Sequence, residues 1–368
     1  MECVSSLIYM HTAVDKVLSC LKMKTKWPEE SAQIELVESV STHLEEFPLS
    51  KRYFRTLVRR LNKDIEHSEC DFSDQFTEFA LGIVATSKAV EDDQDDEAYF
   101  SCIVPVRASS KDKITNYSNV IVPLRCLRQH NLVGMRVWTA GMALSELLLG
   151  LGKGLIEGKS VLELGAGVGI TGVVVSASVR MSRLLLTDFA ENILENLQHN
   201  VSINRDRCVG EEEVRVERLD WRAASSREDI EHLYPRQGDS WADVIIAADC
   251  TYSEDINLSL AQCIETLLRA KGAGVDNSRK GNGGMSAEDG KDLVSAIDLQ
   301  RRHGTIAIVA AEERSEFTYN HFLRLLGSSE SLSFCEVTRW AIECTEEKRL
   351  FEYERREKLH FVVIWLQS

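Results

Sequence analysis

Apolar residues recur at two different periods along this chain, and the change of period divides it. Ile34, Leu36, Val37, Val40 and Leu44 fall at helical spacing. A further segment opens with Phe47-Pro-Leu-Ser-Lys-Arg-Tyr-Phe54, and Tyr53, Phe54, Leu57, Val58 and Leu61 form one face of a second helix. Residues 1 to about 85 are therefore expected to be helical, with these stripes as core. The acidic run Glu91-Asp-Asp-Gln-Asp-Asp-Glu97 then reads as a solvated linker. Short β-like pieces follow at 99–106 and 120–124, and the pattern from 138 to 151 is helical again.

From there, short apolar runs alternate with helical ones. Strands are expected at 161–164, 184–187, 214–219, 244–248 and 305–310, and a hairpin-like pair at 333–337 and 359–366. Helices are expected from the turn after the first strand to 178, and at 190–203, 257–270 and 317–326. Such alternation predicts a doubly wound, mostly parallel sheet of seven strands. The organisation is thus a helical region and acidic linker at 1–98 and an α/β domain at 99–368. The stretch from Lys271 to Asp298 is rich in glycine and poor in apolar residues, so it reads as a flexible insertion.

Composition narrows the function. A chain of 368 residues, 44% hydrophobic, can build a sizeable core, and a net charge of −15 argues against a general nucleic-acid surface. The ten cysteines include no Cys-x-x-Cys pair, so no metal site is expected and the thiols are expected to stay reduced, as in a cytoplasmic protein. The N-terminus has no cationic region of the secretory kind, and no apolar run is long enough to span a membrane.

The densest chemistry lies in Val161-Leu-Glu-Leu-Gly-Ala-Gly-Val-Gly-Ile-Thr-Gly172, a strand running into a glycine turn and a helix. Gly167 to Gly172 satisfies the dinucleotide G-x-G-x-x-G pattern, and Asp188 ends the next strand where a ribose-binding acid belongs. A nicotinamide-dependent oxidoreductase is therefore open at this point. So is a non-catalytic module that holds a partner through the N-terminal helices. Glu163 departs from the nicotinamide pattern: an acid there can reach the amino group of a methionine moiety, with Gly165, Gly167 and Gly169 admitting the amino-acid end and the ribose. Leu219-Asp-Trp221 places Asp220 against an adenine amino group and Trp221 against its ring. Ala247-Ala-Asp-Cys-Thr-Tyr252 delivers Asp249 and Tyr252 to the end of the sheet, where they would frame an amine nucleophile. Cys250 lies between them without a histidine in the motif, so it is not read as a nucleophile. Trp138, in Val-Trp-Thr-Ala-Gly, can close one wall of the pocket.

Taken in order, Trp138, Glu163 to Gly169, Asp188, Leu219-Asp-Trp221 and Ala247 to Tyr252 resemble the seven-β-strand protein methyltransferases that act on lysine. Within that group, Phe47 to Leu57 and Leu350-Phe-Glu-Tyr353 are similar to segments of the elongation factor 2 lysine methyltransferases. The resemblance covers roughly residues 130 to 368 and implies a Rossmann-like seven-stranded S-adenosylmethionine-dependent methyltransferase domain with an N-terminal helical extension. It implies S-adenosyl-L-methionine as cofactor, held by Trp138, Gly165, Ala166, Gly167, Asp188, Trp221 and Ala248. It further implies a monomeric cytoplasmic enzyme that methylates a lysine of elongation factor 2, or of another protein such as a chaperone. The 271–298 insertion departs from the compact family pattern.

Overall fold

The structure is a computed structural model that describes residues 1–87, 97–107, 117–127, 133–209, 213–234, 241–272, 295–346 and 349–367. The acidic stretch 91–96 and residues 273–294 of the expected insertion lie outside them. The chain divides into two compact units, Met1–Val104 with Asn119–Arg136, and Pro105–Ser118 with Val137–Ser368.

The first unit is built from α1 (Glu2–Tyr9), α2 (Val14–Lys24), α3 (Glu30–Glu46), α4 (Lys51–Glu66) and α5 (Asp74–Ser87). The strands β1 (Glu97–Arg107) and β2 (Tyr117–Leu127) form a two-stranded sheet of their own, and the division between units passes through β1, a few residues beyond the acidic run. Ser50 caps α4 by accepting from Tyr53 N at 3.3 Å, which fixes where the helix starts. From that start Leu57, Val58, Leu61 and Ile65 reach the core, on the face the periodicity indicates. On α3 the fully buried line is Ala32, Gln33, Leu36 and Val40. Gln33 can be interior because its amide donates to Pro28 O (2.8 Å) and Asp71 O (2.9 Å) and accepts from Ser73 N (2.9 Å).

The second unit holds α6 (Thr139–Leu149), β3 (Ser160–Leu164), α7 (Gly172–Ser176), β4 (Arg183–Asp188), α8 (Glu191–Ile203), β5 (Glu213–Arg218), α9 (Arg227–Ile230) and β6 (Val244–Ala248). It continues with α10 (Glu254–Gly272), α11 (Ala296–His303), β7 (Ile306–Glu312), α12 (Glu316–Ser328), β8 (Leu332–Glu336), α13 (Thr338–Glu346) and β9 (Leu359–Leu366). The seven strands run in the order β5-β4-β3-β6-β7-β9-β8. Strands β5 to β7 are parallel, and β9 is antiparallel to both β7 and β8. This is the expected Rossmann-like sheet. The last two strands do pair, but α13 and a longer connection separate them, so they are not a simple hairpin. The apolar runs are explained by burial: Ser160 to Leu164 is buried throughout, because helices cover both faces of a parallel sheet. One face packs Leu162, Leu164, Ile245 and Val309 against Leu260, Ile264 and Leu267 of α10 and Phe322 and Leu326 of α12.

Chain order reverses at β3, which pairs with β4 on one side and β6 on the other. A crevice opens at the carboxyl ends of the strands where order reverses, so this topology selects the ends of β3 and β6 as the site. No helix among the described residues is long and apolar enough to cross a membrane.

Candidate active site

Beyond β3 the chain turns through Gly165, Gly167 and Gly169, with φ of +63°, +55° and +86°. These are left-handed values that side chains with a Cβ resist. Gly165 is constrained twice. A Cβ there would stand 2.9 Å from Cys250 Sγ and 3.1 Å from Trp221 Cζ2. The turn is tied to its neighbours by Ala166 N donating to Thr187 O (2.9 Å) and by Ser145 Oγ of α6 donating to Ile170 O (3.1 Å).

Three buried carboxyl groups gather behind this turn. Glu163 points beneath it, and its Oε2 accepts from Gly172 N at 2.9 Å, at the first residue of α7. Burial pushes its pKa up to about 8, against the bonds from Gly172 and Thr171, and the nearby Asp188 adds to the rise. The reading from sequence directs this group to a ligand's amino group; the structure directs it to the helix N-terminus. Asp188 accepts from Gly167 N (3.1 Å) on Oδ2 and from Phe189 N (2.8 Å) on Oδ1, and burial raises its pKa. Ala190 N–H also supports the carboxylate, which leaves one of its four acceptor sites for a ribose hydroxyl.

Asp249 follows β6 with φ +55°. Its Oδ2 accepts from Ala140 N in the first turn of α6 (3.0 Å), and its Oδ1 accepts from Glu312 N at the end of β7 (3.1 Å). Burial lifts its pKa, while those two N–H groups and Arg314, 3.6 Å away, oppose the rise. Arg314 also lies 4.3 Å over the ring of Trp138, so it joins two of the expected site residues. Burial first, then the charges of Asp188, Asp249 and Glu163, hold the Cys250 thiol protonated. Cys250 is therefore no nucleophile.

Asp220 is differently engaged. It accepts from Arg222 N (3.1 Å), and its two oxygens take Arg222 Nε and Nη2 at 2.9 and 2.8 Å. The guanidinium keeps its carboxyl below the usual range. This group thus faces its neighbour, where the sequence suggests an adenine amino group. Trp221 lies against Gly165, and its Nε1 is buried without a hydrogen-bond partner among the described residues. Ala248, the last residue of β6, is half-buried. Tyr252 is 49% exposed and lines an open cleft with Asp249, Thr251, Glu312 and Arg314. Burial raises the pKa of its phenol.

Three residues escape sequence reasoning. Arg314 and Glu312 lie outside every motif. Glu146, in the apolar stretch of α6, is fully buried and binds Leu350 N, Phe351 N (both 2.8 Å), Tyr353 OH (2.6 Å) and Arg356 (3.2 Å). A lone acid among leucines is the signal that could have found it.

A sequence profile described as lysine methyltransferase matches residues 127–281. Over that segment the chain is similar to the lysine methyltransferases. Its relatives include the protein-lysine N-methyltransferase EFM3 of Chaetomium thermophilum, 27% identical over 53% of this chain and 47% of that protein. Methyltransferase-like protein 22 of Mus musculus is 26% identical over 62% of this chain and 54% of that one. The chain therefore spans about half the length of these relatives. An O-methyltransferase from Bacillus cereus, solved with SAH, aligns at a TM-score of 0.36 and 12% identity over 64% of this chain and 85% of its own. The cofactor expected from the sequence is S-adenosyl-L-methionine. The site suits it on two counts. The left-handed turn beyond β3 carries no side chain at Gly165, Gly167 and Gly169, and Trp221 Nε1 is a buried donor with no partner among the described residues.

Proposed function

We propose that this chain is a protein-lysine N-methyltransferase that acts on a lysine of elongation factor 2 in the cytoplasm. One observation carries the choice of methyl transfer over hydride transfer. In a dinucleotide enzyme the helix N-terminus after the glycine turn receives the pyrophosphate. Here Glu163 already accepts from Gly172 N, with Asp188 and Asp249 close behind. With Gly172 N–H taken by Glu163, the start of this helix has one donor fewer to offer a pyrophosphate.

In this reading Asp188 holds a ribose hydroxyl, Trp221 the adenine side, Trp138 one wall, and Gly165 to Gly169 the amino-acid end. S-adenosylmethionine supplies an electrophilic methyl group on sulfur. A lysine amine, with a free pKa of about 10.4, must shed its proton before it attacks in line. Asp249 locks the start of α6 to the end of β7, and Tyr252 borders the cleft through which the amine enters. The protein's contribution is then chiefly placement and exclusion of alternatives.

Support for the choice of elongation factor 2 comes from the resemblance at Phe47 to Leu57 and at Leu350 to Tyr353. Both segments are integral to their units: Phe47 and Leu49 are buried, and Glu146 anchors the second. Incubation with labelled S-adenosylmethionine and elongation factor 2 tests the proposal. Label on a lysine is the expected result; no transfer, with the cofactor shown to bind, overturns it.

A further inference from the structure

The paired landmark residues Asp249 and Tyr252 leave open which group receives the charged amine, and the structure separates the candidates. Each oxygen of Asp249 is already bonded to the protein. It bonds two backbone N–H groups, it stands 3.6 Å from the Arg314 guanidinium, and its side chain is only 5% exposed. A carboxylate so bonded and so little exposed holds the elements of the site together and is poorly placed to meet an incoming ammonium.

Glu312 is its opposite. Its backbone N–H is the donor to Asp249 Oδ1, so the two residues are joined, yet its own carboxylate makes no hydrogen bond or ion pair among the described residues. On β7, Ala307, Val309 and Ala311 face the core shared with α10 and α12. Strand alternation therefore turns Glu312 to the other face, with Ala310. There it is half-buried and lines the cleft with Thr251, Tyr252 and Arg314. Arg314, in the same cleft, is engaged by Asp249 and by the Trp138 ring.

We propose that Glu312 is the carboxylate that seats the substrate lysine's ammonium in the cleft, while Asp249 is a positioning residue. The proposal rests on the methyltransferase reading above. The lysine arrives protonated and is drawn to Glu312, and its proton leaves to water through the open side of the cleft. The nitrogen pair then forms the C–N bond as the C–S bond breaks, with that electron pair passing to sulfur.

The test uses the full chain, as wild type, Glu312→Gln and Glu312→Asp. Acceptors are elongation factor 2 and a whole-protein extract of cells that lack this chain. Loss of one partly buried ion pair predicts a rise in acceptor KM of about tenfold for Glu312→Gln. Glu312→Asp is expected to recover part of it, with S-adenosylmethionine affinity by calorimetry unchanged in both. Unchanged acceptor KM in Glu312→Gln, beside an active wild type, overturns the role of Glu312 and leaves the methyltransferase reading standing. Parallel loss of cofactor affinity makes Glu312 a structural residue and also overturns the proposal. A wild type that binds the cofactor but labels no protein in the extract overturns the methyltransferase reading, and this proposal with it.

Discussion

Replacing Glu163 with glutamine should flatten the dependence of stability on pH. Glutamine keeps an oxygen to accept from Gly172 N, which lies 2.9 Å from the carboxyl, but it does not titrate. In the folded protein the carboxyl holds its proton to about pH 8, against 4.5 for an ordinary glutamate. Below that ordinary value both folded and unfolded chains hold the proton. Between the two values only the folded chain does, so raising the pH favours unfolding throughout this window. Above about pH 8 both states are ionised and the loss is complete. At about 1.36 kcal/mol for each pKa unit, the ceiling on this loss is about 5 kcal/mol. Urea unfolding of wild type and Glu163→Gln, without cofactor, at several values between pH 5 and 8.5 reads the difference directly. Groups remote from Glu163 titrate alike in both proteins and cancel. The wild type should lose several kcal/mol more than the variant across the window. Parallel curves would show that Glu163 is ionised at its ordinary pKa and that its burial has no energetic consequence.

Other outcomes follow from single contacts. Gly165→Ala places a methyl 2.9 Å from Cys250 Sγ at φ +63°, so stability should fall by about 1–2 kcal/mol and cofactor affinity by tenfold or more in calorimetry; undiminished affinity would remove the cofactor from this turn. Trp221→Phe deletes a buried donor unmatched among the described residues, so the free protein should be no less stable, while cofactor affinity drops about fivefold, the worth of one hydrogen bond of about 1 kcal/mol. Equal binding by the two proteins would mean that Nε1 meets no ligand atom. Glu146→Ala strands Leu350 N, Phe351 N, Tyr353 OH and Arg356, and should cost about 3–5 kcal/mol in chemical unfolding. Amide exchange at Leu350 and Phe351 should accelerate in that variant, and retained protection would refute the anchoring role.

Much of this protein is local and could be read along the chain. The alternation of short apolar runs with helical ones follows from a parallel sheet buried on both faces, and that pattern determines the sheet of the second unit. Gly165, Gly167 and Gly169 announce a left-handed turn because few other residues tolerate those angles. Asp188 and Asp249 sit at strand ends because a strand must end where its side chains can leave the core. α13 was not legible, since Thr338 to Glu346 offers only a short run of apolar positions, with Trp340, Ala341 and Cys344 buried.

The partner of each charged group was not legible, because partners come from distant parts of the chain. Glu163 binds a helix nine residues on, Glu146 holds a segment more than two hundred residues away, and Asp249 joins α6 to β7. Sequence alone determined where backbone conformation and burial place the glycine turn and the acids around it. Only the tertiary structure decided which of those acids are consumed by N–H groups and guanidinium, and which, as at Glu312, remain for a substrate. Hydrogen-bond capacity is settled by neighbours in space, and strand order, not spacing, chooses those neighbours.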